Sequence, residues 1–195
     1  MSSTPPTDPA AGLGQIQAAD PAFNLELFKR QAVQTFLDVK QGVESQDLSG
    51  VVDLVSDSVY DDLRLQVMGL EARGAIQNFD GLTPTQVMVA AADRGPQGDA
   101  ITLRIQAMAL AYLRPSGGGG FPAGAPGAFT EFWTFTRPLD ATSQTAPRYE
   151  CPNCGAPIDV DTGRICHYCK TLLPAPHAQT GWVVTAIRPA QESLG

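Results

Sequence analysis

The sequence predicts an α+β fold: three N-terminal helices packed on one face of a curved antiparallel sheet. Three observations predict it. Apolar residues recur at three- and four-residue steps as far as Gly74 and at two-residue steps beyond it. Four strand-like segments then follow one another with no helical pattern between them. All four cysteines fall in one stretch between the last two of those segments, which marks it as an insertion.

A chain of 195 residues suits one domain of ordinary size plus a small module. The 43% apolar content lets it bury a core without needing metal or disulfides to fold. A net charge of −7 argues against non-specific nucleic-acid binding and against electrostatic attachment to anionic lipid. No run of 18 apolar residues is present, and "MSSTPPTDPA" has neither the basic nor the apolar part of a secretory signal.

Residues 1–20 are rich in Pro, Ser, Thr and Ala, and a disordered tail is expected there. The first helix starts at Asn24, a plausible N-cap, and places Leu25, Phe28, Ala32, Phe36, Val39 and Val43 on one stripe. "DLSGVVDLVSD" reads as a second, short helix. "SVYDDLRLQVMGLEARG" reads as a third, with Ser58 and Asp61 as a capping box, Val59, Leu63, Val67 and Leu70 buried, and Gly74 at its left-handed end.

The first strand is read from "PTQVMVAAADRG". The second, "AITLRIQAMALAYLRP", puts Ile101, Leu103, Ile105, Ala107 and Ala109 on one face. Its second half is apolar on the other face as well, through Met108, Leu110 and Tyr112, so both faces are expected to be covered, by helices or by a second copy in a homodimer. "PSGGGGFPAGAP" is a flexible loop; it lacks the lysine and following helix of a phosphate cradle. "AFTEFWTFTRP" and "GWVVTAIRP" are the third and fourth strands. Strict alternation puts Glu131 on one face with Trp133 and Phe135, where a carboxylate either sits at a cavity mouth or is paired, with Arg104 or Arg188 as the expected partner.

Within the cysteine stretch the pattern is Cys151-x2-Cys154, then Cys166-x2-Cys169. Two intervening residues let both sulfurs of a pair turn onto one ion while the backbone curls into a knuckle. Gly155 suits the left-handed residue of such a knuckle; Lys170 stands where glycine is commoner. "DTG" between the pairs signals a hairpin turn that would bring the second knuckle back to the first. These features predict a zinc ribbon at 148–173, with Cys151, Cys154, Cys166 and Cys169 closing a tetrahedron around one structural zinc; iron is the alternative metal. His167 and His177 are read as loop residues rather than ligands. Two close cysteine pairs also point to a reducing compartment, the cytoplasm, with a peripheral place at the membrane as the variant.

"FTEFWTFTRP", the helical stretch from Asp20 to Val67 and the closing "WVVTAIRP" together resemble the Tim44-like domain family. The resemblance runs over residues 20–114 and 128–189 and implies a fold like that of nuclear transport factor two, a cone of helices and bent sheet around an apolar cavity. It sets the expected domain at 21–138 and 181–190, with 191–195 as a tail. It also implies a scaffold role, since mitochondrial relatives support protein import and others are membrane-linked. The side chains expected to line the cavity are Phe36, Met108, Tyr112, Glu131, Trp133, Phe135 and Trp182.

The functional expectation is a non-enzymatic scaffold or binding module that engages a partner protein, in translocation or membrane-linked assembly. Its alternative is a cavity that binds an apolar ligand or lipid, or catalyses a reaction. Neither histidine lies in a helix or strand segment, which leaves the cavity short of a catalytic base. Five basic residues against four acidic ones between Arg137 and Arg188 make no phosphate-binding stripe, so no nucleic-acid partner is expected.

Overall fold

A computed structural model describes residues 8–118, 124–141, 143, 151, 153–156, 166, 168–171 and 181–190. Three helices, α1 (Pro9–Ala19), α2 (Leu25–Ser45) and α3 (Asp57–Glu71), precede four strands, β1 (Ala75–Gly95), β2 (Gly98–Pro115), β3 (Gly127–Arg137) and β4 (Val183–Pro189). The strands form one antiparallel meander in the order β1-β2-β3-β4. The α+β class and the curved sheet expected from the sequence are what the structure has. The helices differ in identity.

Helix α1 occupies much of the stretch expected to be a disordered tail. Asp8 caps it by accepting from the Ala10 amide, and Pro9 at the first position is already set for a helical turn. Ile16 is completely buried. Gly12 meets the backbone of Ala92 on β1 so closely that a Cβ would strike the Ala92 carbonyl. Tertiary contact, not propensity, makes this segment helical. Gly12→Ala should therefore push α1 off β1 and cost about 1–3 kcal/mol, despite alanine's better helix propensity. An unchanged melting temperature would show that α1 does not seat there.

The expected short helix at "DLSGVVDLVSD" is instead a series of turns, with Val51 donating to Leu48 and Leu54 to Val51. Leu48, Val51, Leu54 and Val55 still enter the core; the Ser56 amide donates to the Val184 carbonyl and the Val184 amide to the Leu54 carbonyl, which adds this segment to the edge of β4. Asn24 caps α2 as expected, accepting from Leu27 at 2.9 Å. The cap of α3 is Ser56, two residues before the expected Ser58. The expected α3 stripe of Val59, Leu63, Val67 and Leu70 is buried.

Strand β1 begins nine residues earlier than expected, at Ala75 rather than Pro84. Gly81 and Pro84 hide the pattern: the register shifts between Asp80 and Thr83, between Pro84 and Gln86, and between Val89 and Ala91. Such bulges bend and twist a sheet, and Pro84 is tolerated because β1 is an edge strand. On β2 the face from Ile101 to Ala109 is buried, but Met108 on the opposite face is 42% exposed and Leu113 is 56% exposed. The helices cover the concave side alone, so of the two covers expected for the other face the helical one is not found there.

Two aromatic clusters fill the space between helices and sheet, and α2 runs from one to the other. At one end Phe28 lies 4.9 Å from Trp182 and 5.4 Å from Phe135, with Phe23 beside them. At the other Phe36 meets Trp133 and Phe129.

Beside the first cluster lies a buried charge network. Arg137 bonds Asp20 through Nη1 and Asp99 through Nη2, each at 2.7 Å, and Arg94 bonds the other oxygen of Asp99 at 2.6 Å. The Arg137 guanidinium also lies 4.8 Å from the Trp182 ring. Burial pushes the Asp20 carboxyl up, but the hydroxyl and amide of Ser143 and then Arg137 outweigh it and hold it below its ordinary 3.8. A lowered folded-state value means that the carboxylate's stabilisation is complete above 3.8 and fades as pH falls below it. Asp20→Asn should be less stable than the wild type by about 1–3 kcal/mol at pH 7. In acid denaturation series the gap should narrow below pH 3.8; a constant gap would contradict the assignment.

Candidate metal centre and sheet cleft

The cysteine module enters at β3 and leaves at β4. Thr136 pairs with Val183, so the two ends of the insertion lie side by side. Its two knuckles repeat one geometry. The Gly155 amide donates to the Cys151 carbonyl at 2.8 Å and the Cys151 amide to the Ala156 carbonyl at 2.8 Å. Lys170 to Cys166, and Cys166 to Thr171, repeat those bonds at 2.9 Å each. Gly155 and Lys170 occupy the same left-handed position, at φ 67° and 60°.

All four sulfurs lie within 4.8 Å of one another. Cys151 and Cys169 are 3.5 Å apart and Cys154 and Cys166 are 3.7 Å apart, each a contact between knuckles. Sulfurs at about 2.3 Å from a tetrahedral ion stand about 3.8 Å from each other, so the donor set fits one ion. The cysteines are free thiols, and a disulfide would need the sulfurs about 2 Å apart.

The electrostatics also call for a cation. Cys169 is held down to about 5 by the hydroxyl and amide of Thr171 and then by the Asn153 amide. Cys166 is lowered by the amides of Cys169 and Tyr168. Cys154 goes the other way, to about 12: the Ala156 amide lowers it, but lost hydration and the crowding of the other three sulfurs outweigh that. Four sulfurs this close cannot all ionise until a cation joins them. His167, His177 and the hairpin at "DTG" lie outside the described residues, as do residues 191–195 and most of the ribbon span 148–173.

Lysine at the left-handed position costs about 1 kcal/mol relative to glycine. Lys170→Gly should therefore tighten the second knuckle and slow metal transfer to a chelator about fivefold. Faster transfer from the glycine variant would mean that Lys170 does something for the module that its backbone does not reveal.

The second site is a cleft of about 780 Å³ between α2, α3 and the concave face of the sheet. Of the residues expected to line it, Glu131 and Trp133 do so. Phe36 is fully buried behind it, and Phe135 and Trp182 belong to the other aromatic cluster. Met108 is on the exposed face of the sheet, and the Tyr112 hydroxyl donates to Asp80 at 3.0 Å. The walls are instead supplied by such residues as Val39, Val43, Phe79, Phe129 and Ile187.

Glu131 is paired, but with neither expected arginine. Lys40 of α2 bonds its Oε1 at 2.6 Å, and the Trp133 indole N–H donates to its Oε2 at 2.9 Å. The Lys40 ammonium also lies 5.2–5.5 Å from the ring centres of Phe36, Phe79 and Phe129. The sequence carried a signal for this: Lys40 comes four residues after Phe36 and three before Val43, on the buried stripe of α2.

Residues 9–149 match the Tim44-like domain. The chain belongs to the Tim44-like domain family. The match begins where α1 begins, so this helix is part of the Tim44-like domain rather than a leader to it. It ends before the first cysteine, while β4, which follows the cysteines, still completes the Tim44-like sheet. The comparison with curated proteins returned no match. Among the described residues no helix is long and apolar enough to cross a membrane.

Proposed function

We propose that this Tim44-like domain is a non-enzymatic scaffold whose cleft receives an apolar segment of a partner protein. The cysteine module is a structural zinc ribbon beside it. Zinc is favoured because a closed four-thiolate tetrahedron is its usual structural site; it would stabilise the module and leave no open coordination position for a reaction. The setting is protein translocation or another membrane-linked assembly, the work that the family resemblance implies, from the cytoplasmic side.

The observation that carries the binding reading is the Lys40–Glu131 pair. The ionisable groups farthest inside the cleft neutralise each other, and the Trp133 N–H closes the second carboxylate oxygen. That leaves apolar wall for recognition beside the pair, while the other charged lining residues, Asp62 and Arg188, are exposed to solvent rather than held against that wall as a general acid–base pair would be.

A second reading is kept by the cleft's size, since about 780 Å³ would hold a small molecule. Cross-linking and mass spectrometry of captured complexes separate the two readings. Gly127 lines the cleft, pairs with Ala109 on the concave face and has open space where a Cβ would stand, so Gly127→Arg fills the cleft without disturbing the core. A partner held by the wild type and lost by this variant supports the scaffold. Turnover of a co-purifying small molecule would replace it with an enzyme.

A further inference from the structure

We propose that the face of the sheet turned away from the helices docks an acidic, amphipathic segment of a partner protein, held between Arg104 and Arg188 and seated on Phe132. This surface is separate from the cleft and from the cysteine module.

Strand register builds the site, because residues opposite one another on neighbouring strands share a face. Met88 of β1 stands opposite Arg104 of β2, Arg104 opposite Phe132 of β3, and Phe132 opposite Arg188 of β4. Alternation along β3 turns this row away from Glu131 and Trp133, which face the cleft. The row crosses the middle of the sheet, away from Thr136 and Val183, where the cysteine module is rooted. Met88 and Arg188 are exposed, and Arg104 and Phe132 are half-buried. Arg188, at the sheet edge, also borders the cleft.

No anion among the described residues answers these two arginines. Arg94 and Arg137 bond carboxylates and Arg114 bonds Asn78, whereas neither Arg104 nor Arg188 has a bonding partner there. The row on one side holds Gln86, Gln106 and Thr130; the row on the other holds Thr102 and Thr134, whose hydroxyls bond each other at 2.9 Å. None is acidic. In a chain of net charge −7, unanswered cations on such a stretch of sheet complement an anionic partner. The composition is also that of an interface: exposed Met88 and Met108 flank the arginines and Phe132, and lysine is missing from the three rows as well.

The spacing describes the partner. Arg104 and Arg188 are two strand spacings apart, about 10 Å. Carboxylates seven residues apart on a helix stand at the same separation, about 10 Å. Apolar residues three and four positions after the first carboxylate then fall between the two, over Phe132. A bilayer fits less well, since two cations give it little hold and anionic lipid repels the rest of an acidic chain. A second copy docked face to face about a two-fold axis would set arginine against arginine.

The probe is a fluorescein-labelled, alanine-based helix with glutamates seven residues apart and leucines at the third and fourth positions after the first, titrated with the full chain by anisotropy. Its control carries glutamine in place of both glutamates. The glutamate helix should bind about tenfold more tightly, the effect of two exposed ion pairs, and high salt should abolish the difference. Arg104→Gln with Arg188→Gln should abolish it too, at an unchanged melting temperature. Gly127→Arg, which fills the cleft, should leave it intact. If the double variant fails to fold, the salt series on the wild type decides. Equal binding of the two helices overturns the proposal, as does a preference that survives the arginine substitutions or high salt. A preference lost in Gly127→Arg would put the helix in the cleft and overturns it as well. Flotation with phosphatidylglycerol vesicles, or a sedimenting dimer, that the double variant abolishes would assign the arginines to lipid or to a second copy instead.

Discussion

Arg137→Met loses about 3–5 kcal/mol of stability and melts roughly 10 °C lower than the wild type. The guanidinium is fully buried between the carboxylates of Asp20 and Asp99, where solvent screening is weak. Methionine fills much of the arginine's volume, so the loss reports charge rather than a cavity. Asp99 keeps Arg94, but Asp20 keeps only Ser143, and a buried carboxylate without a cation is costly. The effect should exceed that of Asp20→Asn, since one substitution removes the cation that two acids share. Adding Asp20→Asn to Arg137→Met should recover part of the loss, because it removes one stranded charge. Thermal and urea unfolding of the three variants check this. A loss under about 1 kcal/mol would mean that water reaches the network and that it does not tie α1, β2 and β3 together.

Cys154→Ser takes metal content from one ion per chain to near zero while the sheet stays folded. Loss of a partner that merely orients a ligand already weakens metal binding about 10–100-fold, and loss of a ligand costs more. Binding of structural zinc contributes on the order of 10–16 kcal/mol, which is the folding energy of a module too small for its own core. The main core holds no cysteine: Cys151 and Cys166 form a separate cluster with Cys169. The unfolding transition of the helices and sheet should therefore move by no more than the small contribution of the roots. Elemental analysis with circular dichroism reads both halves of the prediction. Full metal retention by the serine variant, or collapse of the whole fold, would count against a metal site built as a separate module.

Much of this architecture could be read before folding. The stripe of α2 and the alternation in β2 and β3 are periodic signals, and periodicity survives because each element buries one face. The metal site was legible for a related reason: its four ligands come as two local pairs, and a knuckle is a local shape. Helix α1 was missed because its sequence favours no structure; a cap, a proline and one isoleucine become a helix when β1 supplies the seat. The first nine residues of β1 were missed because bulges at Gly81 and Pro84 break the two-residue period. The cleft was harder still. Phe36, Phe135 and Trp182 looked like lining because aromatic residues signal burial, and burial does not distinguish a wall from what stands behind it.

By itself the sequence determined the fold class, the antiparallel run of strands, the N-cap and stripe of the long helix, and the four thiolates with their spacing. These depend on neighbours within a few residues, where chain geometry leaves little choice. Tertiary structure alone decided that Lys40, and not an arginine, neutralises Glu131, and that Asp20, Asp99 and Arg137 meet beside the roots of the cysteine module. Partners separated by 91 and 117 residues leave no periodic trace. A buried charge takes whichever opposite charge the packing brings within reach, and packing is a property of the whole chain.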